Sequence, residues 1–409
     1  MYGGAHLFKA DAARKLGGIA LQALADYAPD ADVLARVLDL PPALAARIYP
    51  RVVDKLKREP VEDFRLDFED GFGTRADDEE DRFAVAGADE VAAGHAAGTL
   101  PMGIGIRIKS LGDETRRRGL RTFNMFLSRL AERTGGTLPN NLVVTLPKIT
   151  APEQVGALAA ACSRFEAERG LAAGSLRFEL MIETTQSVFA ADGTVALPRL
   201  VAEGRGRIVA AHFGTYDYTA ACSITAAHQH MRHPACDFAK NVMQVALAGT
   251  GVWLSDGATN IMPVAPHRAS GGRALSDRER EENTRTVHRA WRLHAEHIRH
   301  SLVTGFYQGW DLHPAQLPTR YAAVYAFFLE GLDAAGERLR NFVKKAAQAT
   351  LVGEVFDDAA TGQGLLNYFL RATNCGAITE TEAVEISGLT LDELRSRSFA
   401  KILANRTLG

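Results

Sequence analysis

Cysteine is scarce in this 409-residue chain. Cys162, Cys222, Cys236 and Cys375 lie far apart and form no CxxC pair, which argues against a disulfide framework or a zinc ribbon and favours a reducing, cytoplasmic setting. No run of 18 apolar residues occurs, and no basic segment leads into an apolar one at the N-terminus, so neither a membrane span nor an export signal is expected. A surplus of charge is missing as well. Lys and Arg total 47 against 49 Asp and Glu, a net charge of −2, which leaves no basic field to gather a nucleic-acid backbone. No tract of low complexity and no repeat of fixed period stands out. A role on DNA or RNA is not expected.

What is present is ordinary globular usage, 46% hydrophobic and 23% charged, in a chain about two to three times the length of a typical single domain. Short runs rich in Val, Ile, Leu and Phe alternate with longer stretches of helical period, the signature of βα units on a parallel sheet. Eight runs read as strands: MYGGAHLF (1–8), FRLDFED (64–70), MGIGIRIK (102–109), NLVVTLPK (141–148), LRFELMIE (176–183), RIVAAHFG (207–214), GVWLSD (251–256) and GFYQGWDLH (305–313). The first begins with the first residue, which leaves open whether sequence precedes it. Stretches such as 115–133 and 152–169 read as crossover helices. The expected fold is α/β, a (β/α)8 TIM barrel over residues 1–318, with a helical C-terminal extension over 319–409 whose patterns fall at 319–350, 363–372 and 390–405. The stretch 262–284, rich in Pro, Gly, Ser and Arg at its start, reads as a long loop after the seventh strand, a candidate lid.

In such barrels chemistry gathers at the C-terminal ends of strands, and several of these runs end in charge. Strand two closes with Asp67, Phe68, Glu69, Asp70 and Gly71. Strand three carries Arg107 and Lys109, strand four ends Pro147-Lys148, strand five ends Glu183-Thr184, and strand six runs into Gly214, Thr215, Tyr216 and Asp217. A charge buried alone costs several kcal/mol, so such a group persists only by pairing or by holding an ion. Glu183 and Asp217, on neighbouring strands, suit Mg²⁺, a hard cation that takes few protein ligands and keeps open positions for water or substrate. The competing reading is a salt bridge from either carboxylate to Lys148 or Arg107.

Motif by motif, the chain resembles the citrate lyase β-subunit and malyl-CoA lyase group of HpcH/HpaI-type aldolases. LDFEDGFG (66–73) is similar to that group's strand-two ending, IGIRIKS (104–110) to its V-R-V-N strand, TLPKI (145–149) to its L-P-K, MIETT (181–185) to its I-E-T and FGTYDYT (213–219) to its F-G-x-x-D. SDGAT (255–259) is similar to its D-G after strand seven, and GFYQGWDLHPAQ (305–316) to its G-F-x-G-K-x-x-I-H-P-x-Q. The resemblance implies a Mg²⁺-dependent carbon–carbon lyase or aldolase working through a metal-stabilised enolate. It implies that Glu183 and Asp217 hold the metal, that Arg107 binds the substrate's carboxylate or carbonyl side, and that Glu69 and Asp70 anchor metal-bound waters. His6, Lys148, His212, Gly214 and Thr215 are further candidates for substrate contact.

Two departures bear on the substrate. Lys109 replaces the Asn of V-R-V-N, and Gln308-Gly309 stands where the family has G-K. Loss of that lysine weakens the case for CoA and favours a free 2-oxo or 2-hydroxy acid. An acyl-CoA lyase or Claisen-type condensing enzyme is the alternative, and a non-catalytic carboxylate-binding barrel is a third. His6, His212, Asp70 and a metal-bound hydroxide all remain open as the general base. The cluster His228, His230, His233 and Cys236 reads as a polar loop and helix cap in preference to zinc. Gly103-Ile104-Gly105 lacks the third glycine of a dinucleotide fingerprint, Arg116 to Arg118 read as a solvated face, and Trp253 and Trp310 as core residues near the barrel ends. RYAAVYAFFLEGL (320–332) is too apolar to face water. It is expected to cover a barrel mouth, that of a neighbour in a homo-oligomer such as the resembled family's trimer, or else to pack on the outside of its own barrel.

Overall fold

The computed structural model describes residues 1–269, 273–344, 350–352, 355–357 and 359–407. They form two compact units, Met1–Ala23 with Leu56–Leu317, and Leu24–Lys55 with Pro318–Gly409.

The first unit is a TIM-like barrel. Its strands are β1 (Tyr2–Gly4), β2 (Asp63–Asp67), β3 (Gly103–Arg107), β4 (Leu142–Leu146), β5 (Arg177–Ile182), β6 (Ile208–Phe213), β7 (Trp253–Ala258) and β8 (Gln308–Trp310). Each pairs parallel with the next, in the order β1 to β8. All eight expected strands are present; seven are shorter than their motifs, and at β2, β4 and β5 the charged residues that end the motif leave the ladder to line the loops, whereas β7 is as long as its motif and runs two residues beyond it. The hydrogen-bonded ladder described stops at β8. The seam to β1 is covered by side chains, with the Tyr2 and Trp310 rings stacked at 4.3 Å.

Period-two alternation sorts each strand into a face toward the helices and a face toward the axis. Phe64 and Leu66, Ile104 and Ile106, and Phe178, Leu180 and Ile182 are buried among the apolar core residues. The alternate set is Arg65 and Asp67, Gly105 and Arg107, Glu179, Met181 and Glu183. Gly105 lies beside Arg65 in the ladder, and a Cβ there would run into the Val143 carbonyl.

The helices Arg116–Arg133 and Pro152–Arg169 stand where the helical period puts them. The loop expected over 262–284 is shorter. Ser276 and Glu279 form a capping box, and a helix runs over Asp277–Val303, since two reciprocal cap bonds start a helix wherever the following residues permit one. Residues 270–272 of that loop lie outside the described residues. Trp253 is 65% exposed, which corrects its placement in the core: it opens β7 on the side remote from the strand C-termini. The arginine run is only partly solvated. Arg118 turns inward onto Glu80 at 3.3 Å and onto Asp81.

The second unit contains the helices Ala31–Leu38, Leu317–Glu330, Leu332–Lys344, Ala359–Asn374, Glu380–Ser387, Leu391–Ser396 and Phe399–Thr407, with a short antiparallel pair of Thr350–Val352 and Val355–Asp357. The end of the helical stretch expected at 319–350 falls on 345–349, outside the described residues. The stretch expected at 390–405 is broken at Arg397, whose backbone is left-handed at φ 54°. Arg51 joins the pieces, donating to the Ala377 carbonyl at 2.7 Å and to both oxygens of Glu382 at 2.5 and 3.1 Å. Tyr321, Val324, Tyr325, Phe328 and Leu329 are buried, so the apolar face of that helix is covered within one chain.

Candidate active site

The ends of β2 to β6 bring most of the expected residues together. Arg107, the last residue of β3, is buried at 4% exposure. Its Nε and Nη2 donate to the two oxygens of Asp67 at 2.7 and 2.5 Å. Asp67 also accepts from the amides of Glu69 at 3.0 Å and Gly71 at 2.7 Å, which curls the loop after β2 over the barrel end. One arm of the guanidinium is left over, and Nη1 faces Glu69 at 3.2 Å and Asp70 at 3.6 Å. Beneath, the Tyr2 ring lies 5.0 Å from the guanidinium. Burial works against the charge of Arg107, but Asp67 and Glu69 outweigh it and hold the group above its ordinary range.

Lys148, two residues beyond β4, has a left-handed backbone at φ 48°, which costs a non-glycine residue roughly 1–3 kcal/mol. That backbone aims its amide at Glu183 Oε1, 2.8 Å away. Its ammonium donates to Glu69, lies 3.2 Å from both oxygens of Asp70 and is 3.5 Å from Asp217. Burial disfavours the ammonium, yet Glu183 and Glu69 more than offset this and raise it above its usual range. Among the loop carboxylates, burial raises Glu69 against the pull of Arg107 and Lys148. For Asp70 burial also opposes the charge, but Arg107 and Lys148 win and hold it below the usual range.

Glu183, just past β5, is 1% exposed. Among the described residues the Lys148 amide is its one hydrogen-bond donor, and no cation lies within ion-pairing distance of it. Burial pushes its carboxyl up to about 8, with Lys148 opposing and the charge of Asp217 adding to the rise. Gly214 sits against it, and a methyl there would overlap the Glu183 carboxylate. Asp217 lies in the first turn of the short helix Thr215–Ala221 and is half-exposed. Thr215 Oγ1 is buried with no hydrogen-bond partner among the described residues.

The two histidines stand apart from the carboxylates. His212 lies within the barrel, its Nδ1 accepting from Trp310 Nε1 at 3.0 Å and its Nε2 2.9 Å from Glu179. His6 lies in the turn after β1, edge-on to Phe72 and Phe83, and burial, aided by Arg75, lowers it. Lys109 turns away to the Phe68 carbonyl and Glu80, both at 2.7 Å. His233 accepts from the Ala235 amide at 3.1 Å and caps the helix Pro234–Leu247. Among the described residues no three His, Cys, Asp or Glu side chains are grouped to hold a metal.

Two residues that shape the site take no role from the sequence: Asp67 stands there only as part of the charged end of strand two, and Glu179 is not among the candidates. Asp67 shares the inward face with Arg65 by period two. Glu179 is a charge in the middle of an apolar strand, four residues before Glu183. Arg65 donates to Glu179 through Nε at 2.7 Å and Nη2 at 2.9 Å, and Thr145 Oγ1 donates at 2.5 Å. Burial opposes the Glu179 charge, but Arg65 and His212 hold its carboxyl well below the usual range.

The sequence matches the family described as a domain of unknown function, DUF6986, over residues 1–402. The chain belongs to that family. No curated protein matches this DUF6986 member. Among solved structures it is similar to a citrate lyase from Burkholderia xenovorans LB400, with a TM-score of 0.57 at 19% identity over 82% of this chain and 91% of that one. A malate synthase from Haloferax volcanii gives 0.46 at 16% identity over 86% and 92% of the two chains. RipC from Yersinia pestis gives 0.41 at 15% over 65% and 90%. The likeness of the DUF6986 chain to the citrate lyase is one of fold.

Proposed function

We propose that this protein is a magnesium-dependent carbon–carbon lyase or aldolase of the citrate lyase β-subunit-like kind, acting on a small 2-oxo or hydroxy acid. The observation that carries the reading is Glu183: a carboxylate 1% exposed, given one backbone amide and, among the described residues, no ion pair, beside the half-exposed Asp217. A carboxylate so placed must take up a proton or a cation. Two hard oxygen donors open to a mouth fit Mg²⁺, which binds through one or two carboxylates and leaves its other positions to water and substrate. Fold likeness to a citrate lyase and the order of motifs along the strands support the same reading.

Glu183 and Asp217 would hold a magnesium ion, and the chemistry it would supply when bound is Lewis-acid stabilisation of negative charge on a carbonyl oxygen. The chain's own residues do the rest. Asp67 fixes the guanidinium of Arg107, so that Nη1 alone reaches the mouth and orients a substrate carboxylate. Lys148 adds a second positive group on the same side. Asp70, more exposed than Glu69 and held ionised by both cations, is the carboxylate placed to take the hydroxyl proton. His212 is engaged below the mouth by Trp310 and Glu179, and His6 shares no contact with the carboxylates. A free acid is the favoured substrate, since Gly309 brings no charge to β8 where the resembled family has lysine.

The test is turnover of 2-oxo acids, hydroxy acids and aldehydes with Mg²⁺, run beside CoA thioesters. Cleavage or condensation of a free acid is expected. It should fall by about 10² or more in Glu183→Gln and in Arg107→Lys, which keeps the charge but loses the fork. Micromolar binding of acetyl-CoA would favour the thioester enzyme, and full activity in Glu183→Gln would overturn the site.

A further inference from the structure

The mouth already holds a cation of its own. Five carboxylates, Asp67, Glu69, Asp70, Glu183 and Asp217, face two positive groups, Arg107 and Lys148, and Arg107 spends two of its three nitrogens on Asp67. Its third nitrogen faces Glu69 and Asp70, and the other positive group is a single ammonium, that of Lys148. Its reach is uneven, touching Glu69, Asp70 and Asp217 while forming no ion pair with Glu183. The position of Lys148 is built in by the chain. The left-handed backbone and the bond from its amide to Glu183 fix the root of the side chain, so the ammonium has little choice but to hang over the mouth. Asp217 is at once a contact of Lys148 and one of the two carboxylates read as metal ligands. A divalent ion on Glu183 and Asp217 would sit within a few ångströms of the ammonium, and two cations that close repel strongly in a partly desolvated site.

We propose that Lys148 is the resident counter-ion of the mouth, and that a divalent cation loads onto Glu183 and Asp217 by displacing the Lys148 ammonium from Asp217. This rests on the metal site proposed above. Lys148 therefore sets the metal affinity from the unfavourable side. It holds the carboxylates together in the metal-free protein, and on loading its ammonium withdraws to Glu69 and Asp70, the two carboxylates that Nη1 of Arg107 also faces. The lysine weakens metal binding and in return keeps the metal-free mouth folded.

The experiment is calorimetric titration of the full chain with Mg²⁺ alone, together with melting curves with and without Mg²⁺, for the parent, Lys148→Met, Lys148→Gln and Lys148→Arg. Lys148→Met and Lys148→Gln are expected to bind Mg²⁺ at least about tenfold more tightly than the parent, because one positive charge has left the site. Lys148→Arg, which keeps the charge, should bind no more tightly than the parent. Without metal the two neutral variants should melt below the parent, and with saturating Mg²⁺ they should gain more. A neutral variant that folds only with Mg²⁺ would support the proposal. Folded neutral variants with unchanged or weaker affinity would overturn it, as would variants that fail to fold with or without Mg²⁺. Absence of Mg²⁺ binding in the parent and in every variant would instead remove the metal site itself. Binding that is lost in Glu183→Gln but equal in parent and Lys148→Met would leave that site standing and sink only the displacement.

Discussion

Inside the barrel and at its mouth the same residue types are treated in opposite ways. Within, Glu179 receives Arg65 through two bonds, Thr145 through a third, and has His212 at 2.9 Å. Four residues further along the chain, about 13 Å at the rise of a strand, Glu183 receives one amide. Both are nearly inaccessible carboxylates, Glu179 within β5 and Glu183 just past its end, four residues apart and so in the same period-two set. The fully satisfied one behaves as a structural cross-tie in a place usually filled by Val, Ile and Leu. The under-satisfied one is a carboxylate kept short of partners, which is what a site awaiting a ligand requires and a core does not.

The sharpest way to break this contrast is to remove each carboxylate in turn. Glu179→Ala strands the Arg65 guanidinium in the interior and should cost about 3–5 kcal/mol in urea unfolding. Arg65→Met with Glu179→Leu, which removes both charges, should recover most of that loss. If Glu179→Ala unfolds with the parent, the interior network is not a cross-tie.

The next largest effect concerns pH. The Glu183 carboxyl is raised to about 8 in the folded chain and sits near 4.3 when unfolded. The folded state therefore binds the extra proton between those values. Its contribution to stability is complete below the unfolded value and is lost as pH rises through about 8. Glu183→Gln mimics the protonated form. In the presence of a chelator it should be more stable than the parent at pH 8 and above, by on the order of 2 kcal/mol, and the two should converge toward pH 4 to 5. Melting curves across that range decide it, and a constant difference at every pH would show that the carboxyl titrates normally. The smallest effect belongs outside both clusters. Trp253→Ala, at an exposed position, should change stability by no more than about 0.5 kcal/mol.

Much of this arrangement is legible in the sequence, and the reason is local. Apolar runs with period two give the strands, and a charge that closes such a run must lie at the strand end, so Arg107, Lys148, Glu183 and Asp217 can be placed near one another from the sequence alone. Which partner each one takes is not local. Asp67 claims two nitrogens of Arg107 because β2 and β3 pair with those two residues side by side, a matter of register. Arg65 finds Glu179 across the barrel axis, 114 positions along the chain. The grouping of Leu24–Lys55 with the C-terminal helices is likewise a long-range matter, because helical period says which face is apolar and not what will cover it.

The stacked rings of Tyr2 and Trp310 set the order in which this barrel can be completed. The two side chains are 308 positions apart, 310 − 2, and they lie across the seam between the first and last strands. During synthesis the earlier strands can pair with their successors as each emerges, but β1 waits with one edge open until β8 arrives. Long-range closure of this kind is paid for late and leaves strand edges available to other chains in the meantime. The last step of folding therefore brings Trp310 onto the Tyr2 ring that lies beneath Arg107, so the support under that guanidinium is closed only when the final strand has docked.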